Sequence, residues 1–351
     1  MGYKVDELVE RAAQMKASDI HLISGLHPKC RVDGELIDLD EGVLTHEDCE
    51  DIACQIAGDD YRQIDKIGEL DLARTISGER VRINLFRQQG NISAALRILS
   101  EVIPKLEQLG LPPIVNDFAS YNKGVVLVTG ETGSGKSTTL AAILDQINHT
   151  RKEHIITLED PIEYVYTPDQ SIINQREVGT DTRNYSDGLR AILREDPDVI
   201  LIGEMRDSET IETALTAAET GHLVFSTLHT NSAPDSVDRI VGTFPAERQP
   251  QVRLQLSTTL KAILSQQLLV RSGGRGRIVA CESLVNTPAI ANLIREGKTP
   301  QMYSSMLSSA NIGSMTMDNC LIKMSSEGRI DRQTAVDASN DKEYVKKKLM
   351  M

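Results

Sequence analysis

A glycine-rich segment, Gly130–Thr138, matches the pattern G-x-x-x-x-G-K-[ST] at every fixed position. Its glycines let the backbone bend so that successive N–H groups point at phosphate oxygens, and the helix expected after it adds the positive end of its dipole. Lys136 supplies charge to the β- and γ-phosphates, and the Ser137 hydroxyl is a magnesium ligand. The segment consists of Gly130, Glu131, Thr132, Gly133, Ser134, Gly135, Lys136, Ser137 and Thr138. It predicts a loop that binds ATP together with Mg²⁺.

Acidic residues follow two short apolar runs farther along the chain. One segment, Leu158–Glu163, reads Leu-Glu-Asp-Pro-Ile-Glu, and Glu204 follows another apolar run after a single glycine, Gly203. A carboxylate at the carboxyl edge of a parallel sheet can orient or deprotonate the attacking water, or hold magnesium through water. We assign the water to Glu163. Gly203 stands where an Asp usually binds the metal, so Glu204 alone can contribute there, either near magnesium or as a second catalytic carboxylate. Solvated loop acids are the alternative for both segments.

Two histidines, His222 and His229, bracket a third apolar run, 223–228. His229 comes at the carboxyl end of this run, beside the phosphates if the strand neighbours the glycine-rich loop. An imidazole there could sense the γ-phosphate. A purely structural histidine is the alternative, and it is favoured more strongly for His222.

Two arginines, Arg82 and Arg97, are candidates for a role outside the glycine-rich loop. Strict alternation over 80–85 turns Arg82 away from its apolar neighbours. Such side chains can act as arginine fingers if an adjacent subunit presents an active site to them. Ordinary solvated surface arginines are the alternative.

The first hundred residues have the pattern of a small α+β domain with an antiparallel sheet. Amphipathic spacing predicts a helix at 4–16, and Thr45 with Asp48 forms an approximate capping box for a second helix. Asp33-Gly34 between two apolar runs is typical of a tight hairpin turn. Further alternating patterns predict strands at 69–76, 80–87 and 92–99.

The pattern changes after the stretch 103–113, whose prolines and glycine indicate a linker. Continuous apolar runs then alternate with helical segments, which is typical of a parallel α/β sheet. These runs lie at 125–128, 155–158, 199–202 and 223–227. From about 288 the chain is helical and rich in methionine, and we expect those methionines to fill gaps in the core. The lysine-rich end, 342–351, is expected to be frayed.

The composition and charge of the chain disfavour some classes of binding partner. Acidic residues number 51 against 38 basic ones, and the formal net charge of -13 disfavours stable binding to a nucleic acid. The start of the chain does not have the pattern of a secretory signal, and no apolar run approaches the roughly 20 residues of a membrane-spanning helix. The five cysteines form no C-x-x-C pair, which predicts reduced thiols. Together these features predict a cytoplasmic protein that meets a membrane only through a partner.

The motifs and their order resemble the secretion-system ATPase superfamily. The segments that carry this resemblance are GETGSGKSTT, TLEDPIEY, LREDPDVILIGEMRDSET and TAAETGHLVFSTLHT. Within the superfamily the chain is more closely similar to the ATPases that retract type IV pili, in SDIHL, RVDGEL, NQREVGTDT, FPAERQ and TPAIANLIREGK. The similarity extends over essentially the whole chain apart from its last residues.

The resemblance implies a PAS-like N-terminal domain over 1–102, a linker over 103–113 and a RecA-like ATPase domain over 114–351 with a helical C-terminal region. It also implies a homohexamer at the cytoplasmic face of the inner membrane, docked on the platform protein of a pilus. The work implied is the removal of pilin subunits from the fibre base, driven by Mg-ATP hydrolysis, which produces twitching motility.

By matching motifs, the resemblance makes Glu163 the catalytic glutamate of the acidic box and Glu204 the Walker B acid. It also pairs His222 with His229 as the histidine box of the family.

The resemblance gives roles to arginines as well. Arg82 and Arg97 fall where the N-terminal domain of the family supplies arginines to the nucleotide. Arg295 lies in the segment 288–298, which resembles the helix specific to retraction motors but carries Ala291 where the family usually has Arg.

The nearest alternative function is the same motor with a different load: pilus extension, type II secretion or DNA uptake. Extension and secretion motors usually carry an extra N-terminal domain and a tetracysteine zinc module, and their absence from this sequence favours retraction. A DNA-dependent RecA-like translocase is disfavoured by the acidic balance. A scaffold that binds ATP without hydrolysing it is disfavoured by Glu163 and Glu204.

Overall fold

The computed structural model describes residues 3–32, 34–99, 102–274 and 276–350. The chain forms two compact units. The first unit holds the chain up to Val102 together with Pro161–Val165, and the second holds Ile103–Asp160 and the chain from Tyr166 onward.

The first unit is built on an antiparallel sheet. Its helices are α1 (Val5–Gln14), α2 (His46–Ala57) and α3 (Tyr61–Ile67), with a short 3-10 helix at Gly58–Asp60, and its strands are β1 (Asp19–Ile23), β2 (Lys29–Val32), β3 (Glu35–Asp38), β4 (Glu69–Ile76), β5 (Glu79–Gln88) and β6 (Asn91–Ile98). The strand order is β3-β2-β1-β6-β5-β4. The predicted hairpin is present as the β2–β3 pair, and Asp33 of its predicted turn lies outside the described residues.

Local sequence signals account for these elements. Thr45 and Asp48 exchange hydrogen bonds as a full capping box at the start of α2, a cap of the kind that stabilises a helix by about 1 kcal/mol. In β5 the alternation buries Val81 and Ile83 and leaves Arg82 exposed. The apolar face of the sheet thus packs against α1 and α2 in one core, which confirms the predicted antiparallel sheet domain.

The second unit contains a seven-stranded, mainly parallel sheet. Its strands are β7 (Gly124–Thr129), β8 (His154–Glu159), β9 (Ile172–Glu177), β10 (Val199–Ile202), β11 (Leu223–Leu228), β12 (Leu260–Val270) and β13 (Arg277–Val285). Their order is β13-β12-β7-β11-β10-β8-β9. Only β13 runs antiparallel to its neighbour, β12.

Helices connect and flank these strands. They are α4 (Val115–Phe118), α5 (Lys136–Thr150), α6 (Tyr185–Ile192), α7 (Ser208–Glu219), α8 (Ala233–Gly242), α9 (Gln249–Thr259), α10 (Pro288–Glu296), α11 (Met302–Ser308), α12 (Met317–Ser326), α13 (Arg332–Asp337) and α14 (Lys342–Leu349), with 3-10 helices at Leu106–Gln108, Thr299–Gln301 and Ala310–Ile312. Every residue of β7, β10 and β11 is buried, as expected for strands covered on both faces. Because these strands are parallel, the loops that follow them lie along one edge of the sheet, the carboxyl edge.

Helices α12, α13 and α14 share one hydrophobic core with β13, and Met302 and Met306 of α11 belong to the main core of the second unit. Met302, Met306, Met317 and Met324 are buried, which agrees with the predicted gap-filling role. The prediction of a frayed end is wrong, because the lysine-rich stretch forms α14. That helix is capped by Asp341 and anchored by a single buried side chain, Val345.

Two further expectations concern cysteines and membranes. All five cysteines lie in the described part of the chain, and each is a free thiol. None of the helices within the described ranges combines the length and the apolar character that a bilayer span requires.

Candidate nucleotide site

The glycine-rich loop joins β7 to α5, as its motif requires. Gly133 and Gly135 have φ of +80° and +93°, in the left-handed region that favours glycine. At Gly130, a Cβ atom would lie 2.4 Å from the backbone oxygen of Gln266 on β12. Gly130 also has a positive φ, +140°. The loop therefore needs glycine at all three positions for backbone conformation, and at Gly130 for close packing as well.

Lys136 is the first residue of α5, and it is only 9% exposed. Its Nζ donates hydrogen bonds to the carbonyl oxygens of Gly130, at 2.7 Å, and Glu131, at 2.9 Å. The positive charge thus lies within the loop, next to the N–H groups of the first turn of α5. This combination of a buried cation and a helix N-terminus favours a phosphate ligand.

Ser134 and Ser137 add hydroxyl groups to the loop. The Ser134 hydroxyl is buried, and it has no hydrogen-bond partner among the described residues. A buried hydroxyl without a partner is costly, so a ligand that bonds to it is favoured. Ser137 is half-buried in the first turn of α5 and offers the oxygen that magnesium prefers.

Glu204 lies just beyond β10 and contacts two side chains, those of Arg206 and His229. Its Oε2 accepts a hydrogen bond from Arg206 Nε at 2.8 Å, and its Oε1 lies 3.3 Å from His229 Nε2. Its side chain is 18% exposed, so the charge is held in a partly dry environment. Sequence reasoning did not identify Arg206, because a lone arginine beside an acid is usual on any surface.

His229 was predicted to lie beside the phosphates if its strand neighbours the glycine-rich loop, and the structure fulfils this condition. β11 pairs with β7 on one side and with β10 on the other, and Gly130 N donates to the carbonyl oxygen of Leu228. His229 therefore lies at the carboxyl edge, one strand from the glycine-rich loop. Asn231, two residues later, donates to Glu131 Oε1 at 3.3 Å and joins the turn after β11 to the loop.

The absence of an Asp at position 203 has a steric explanation. A Cβ at Gly203 would lie 2.9 Å from the hydroxyl oxygen of Tyr185 and 3.3 Å from the carbonyl oxygen of Leu158. Tyr185, the first residue of α6, thus fills the space that a side chain at 203 would need. Burial raises the pKa of this phenol, and the neighbouring carboxylate of Asp160 raises it further, so its hydroxyl stays protonated at neutral pH. Sequence reasoning missed Tyr185, since an aromatic at the start of an amphipathic helix has the pattern of a core residue.

We expect Gly203→Ala to lower ATP turnover by roughly tenfold, because the added methyl group must displace either Tyr185 or the end of β10 that carries Glu204. Tyr185→Phe removes the oxygen that the methyl would meet. The double variant should therefore recover most of the lost phosphate-release rate, with Tyr185→Phe alone as the control. A loss that persists unchanged in the double variant would show that Tyr185 is not the obstacle.

The acidic segment 158–163 is divided between the two units. Glu159 belongs to the second unit, where its Oε1 accepts hydrogen bonds from Thr157, at 2.6 Å, and Gln175, at 3.3 Å. Glu163 is half-buried and belongs to the segment Pro161–Val165 of the first unit. Within the second unit, the structure therefore brings Lys136, Glu204 and His229 to one edge, and Glu163 is not among them.

His222 lies at the opposite edge of the sheet. It precedes β11, and its Nδ1 is 2.8 Å from the carbonyl oxygen of Ala217. A strand of this length separates its ends by about 20 Å. His222 and His229 thus belong to different edges of the second unit.

Arg82 and Arg97 are cross-strand neighbours on β5 and β6 of the first unit. Arg97 Nε donates to Asp19 Oδ1 at 2.9 Å. Burial of Asp19 opposes ionisation, but hydrogen bonds from Ser18 and Arg97 outweigh it and lower the pKa of this carboxyl. Asp19 therefore stays charged and holds Arg97, whose side chain is still exposed.

Arg295 is exposed on α10, in the second unit. Its Nη1 donates to Asn292 Oδ1 of the same helix at 3.4 Å. Ala291 is half-buried one turn earlier. α10 begins after β13, and Asn286 just before it bonds to Lys261 at the start of β12. It therefore begins at the edge of the sheet opposite the glycine-rich loop.

Known proteins resemble this chain over nearly its whole length. A family model described as type II/IV secretion system protein matches residues 75–311. The chain is 45% identical over 333 residues to the type IV pilus retraction ATPase PilT of Pseudomonas aeruginosa, with 94% of this chain and 96% of that protein covered. It is 41% identical over 337 residues to the twitching motility protein of Neisseria gonorrhoeae, with 95% and 90% covered. A crystal structure of the pilus retraction motor PilT with bound ADP matches with a TM-score of 0.92 and 46% identity, over 98% of this chain and 99% of that one. The chain is therefore an ATPase and belongs to the type II/IV secretion system protein family.

Proposed function

We propose that this ATPase retracts type IV pili, removing pilin subunits from the fibre base and driving twitching motility. The observation that carries the proposal is the similarity to a pilus retraction ATPase at 45% identity over 94% of this chain. In the proposed arrangement six copies form a ring at the cytoplasmic face of the inner membrane and bind the platform protein of the pilus. A nucleic acid is not among the proposed ligands, since the net charge of -13 opposes it.

In the second unit we assign phosphate binding to the glycine-rich loop and to Lys136. Ser137 and Glu204 offer a hydroxyl and a carboxylate oxygen, the donor type that Mg²⁺ prefers, and we assign them to the metal, Glu204 through water. Mg²⁺ would neutralise charge that develops on the phosphates during hydrolysis. His229 would respond to the γ-phosphate while Glu204 fixes its orientation.

The remaining roles rest on the family resemblance of the motifs. Glu163 would orient the attacking water, and Arg82 and Arg97 would contact nucleotide phosphates. The proposed domains are a PAS-like domain over 1–102, a linker over 103–113 and a RecA-like domain over 114–351.

The C-terminal helix α10 would engage the pilus machinery. Arg295 is exposed there and is available to a partner. His222, which lies on the edge of the sheet where α10 begins, would serve this region rather than the phosphates. Ala291 in place of the usual Arg leaves this contact without one positive charge.

Deletion of the gene in its host tests the direction of the motor. We expect excess surface pili together with lost surface motility, because pili would still assemble but could not be withdrawn. Complementation with the intact gene should restore both traits, and complementation with a Lys136→Ala gene should restore neither. Cells without pili would instead establish an extension motor, and unchanged pili and motility would exclude both.

A further inference from the structure

Glu282 on β13 is fully buried, with 0% exposure, and it lies between the starts of two helices. Its Oε1 accepts a hydrogen bond from the backbone N–H of Ala233, the first residue of α8, at 2.7 Å. Its Oε2 accepts one from the N–H of Met317, the first residue of α12, at 3.2 Å. One carboxyl group thus joins a helix that follows the phosphate edge to a helix of the C-terminal region.

The cost of burying this acid indicates that its position matters. Burial raises the pKa of Glu282 to about 7, the two backbone N–H groups oppose that rise, and the nearby carboxyls of Asp318 and Asp235 add to it. An apolar residue would avoid this cost but would leave two N–H groups at helix N-termini without a partner.

Pairing across neighbouring strands places Glu282 in the same row of side chains as the residue that precedes the glycine-rich loop. Glu282 pairs with Ser265 of β12, and Ser265 pairs with Thr129, the last residue before Gly130. The hydroxyls of Thr129 and Ser265 are hydrogen-bonded at 2.8 Å. A row of buried polar side chains therefore runs from Glu282 to the start of the loop.

A second side chain lies close to the start of α8. The hydroxyl of Tyr303 on α11 lies near the side chain of Ser232, the N-cap residue of α8; burial raises the pKa of this phenol, and Ser232 opposes that rise. Ser232 ends the turn that begins at His229 and includes Asn231, the residue that contacts Glu131. A residue of β13 thus bonds to the helix that starts at the end of this turn, and a residue of α11 lies beside it; the turn is here named the His229–Ser232 turn.

We propose that Glu282 is a positioning residue for ATP hydrolysis, which fixes the His229–Ser232 turn through the start of α8 and links that turn to α12. This inference rests on the proposed role of His229 at the γ-phosphate. Glu282 itself touches no nucleotide in this scheme. It acts through Ala233, and Tyr303 supports it through Ser232.

Glu282→Gln tests the proposal with little change in volume. Glutamine keeps one acceptor oxygen but turns an NH₂ group toward one of the two backbone N–H groups. We expect kcat for ATP to fall roughly tenfold while KM changes less than about twofold, because the turn is displaced but the phosphate loop is intact. Glu153→Gln is the matched control, since Glu153 is a half-buried glutamate paired with Arg151 at the opposite edge of the sheet. The control should lower neither parameter.

Hydrogen exchange of the purified protein without nucleotide gives a readout that does not depend on activity. Protection should fall at least about tenfold in peptides spanning 229–238 and 317–326, and stay unchanged in a peptide spanning 136–150. A uniform loss of protection, or a lower melting temperature with kcat unchanged, would assign Glu282 a merely structural role and overturn the proposal. If Glu282→Gln does not fold, Tyr303→Phe provides the second test, with a smaller loss of protection expected at 229–238 alone.

A double variant separates this inference from the proposed function. In a His229→Ala background, Glu282→Gln should lower the residual turnover less than about twofold, because its effect passes through His229. A full further loss would overturn the positioning role while leaving the motor assignment intact. Normal turnover in His229→Ala alone would refute the role of His229, and with it this inference.

Discussion

Lys136→Ala is expected to reduce ATP turnover by at least about a hundredfold and to weaken ATP binding strongly. The side chain places a buried positive charge among the N–H groups of the glycine-rich loop, and a preorganised charge of this kind contributes on the order of a hundredfold or more to rate. Phosphate release and the binding of a fluorescent ATP analogue measure the two effects separately.

Lys152→Ala is the matched control for that experiment. Lys152 is exposed just beyond the other end of α5, so its loss removes a lysine from the same region without affecting the loop. The control should bind and hydrolyse ATP normally. Turnover near that of the unaltered protein in Lys136→Ala would refute the assignment of the loop as the phosphate site.

Glu204→Gln is expected to reduce turnover by roughly a hundredfold while ATP binding changes only a few-fold. The glutamine keeps the shape of the side chain but loses the charge that pairs with Arg206 and that would hold the metal through water. Single-turnover phosphate release separates the chemical step from binding.

Glu209→Gln provides the comparison, since Glu209 is an exposed acid in the first turn of α7 whose carboxylate pairs with Arg190. Its loss should leave turnover unchanged. If Glu204→Gln instead weakened ATP binding as much as turnover, Glu204 would act in the ground state and not in the chemical step.

Four strands of the second unit could be predicted from their apolar runs, but their order could not. Continuous apolar runs mark β7, β8, β10 and β11, because strands buried on both faces have no polar face to alternate with. Nothing local states that β11 lies between β7 and β10, since that order depends on contacts between distant parts of the chain. The position of His229 beside the loop depended on this order, and so it remained conditional until the structure was known.

The lack of room for a side chain at Gly203 could not be predicted from sequence either, because the obstacle belongs to another element. The pattern shows a glycine in place of a metal-binding Asp and suggests a loss. The structure shows that Tyr185, from another element, occupies the volume that an Asp would need.

The C-terminal lysines illustrate a different limit. A run of like charges indicates a solvated segment, but α14 is capped by Asp341 and packs Val345 and Leu349 against the C-terminal core. Charge density describes the exposed face of such a helix and says nothing of its contacts with the core.

The antiparallel direction of β13 has a pharmacological consequence. Because this strand ends at the edge of the sheet opposite the glycine-rich loop, α10 begins about one strand length, roughly 20 Å, from the phosphate edge. A small molecule bound at the start of α10 would therefore not overlap with ATP. Such a molecule and ATP would occupy separate sites, so ATP at the phosphate edge would not by itself block its binding.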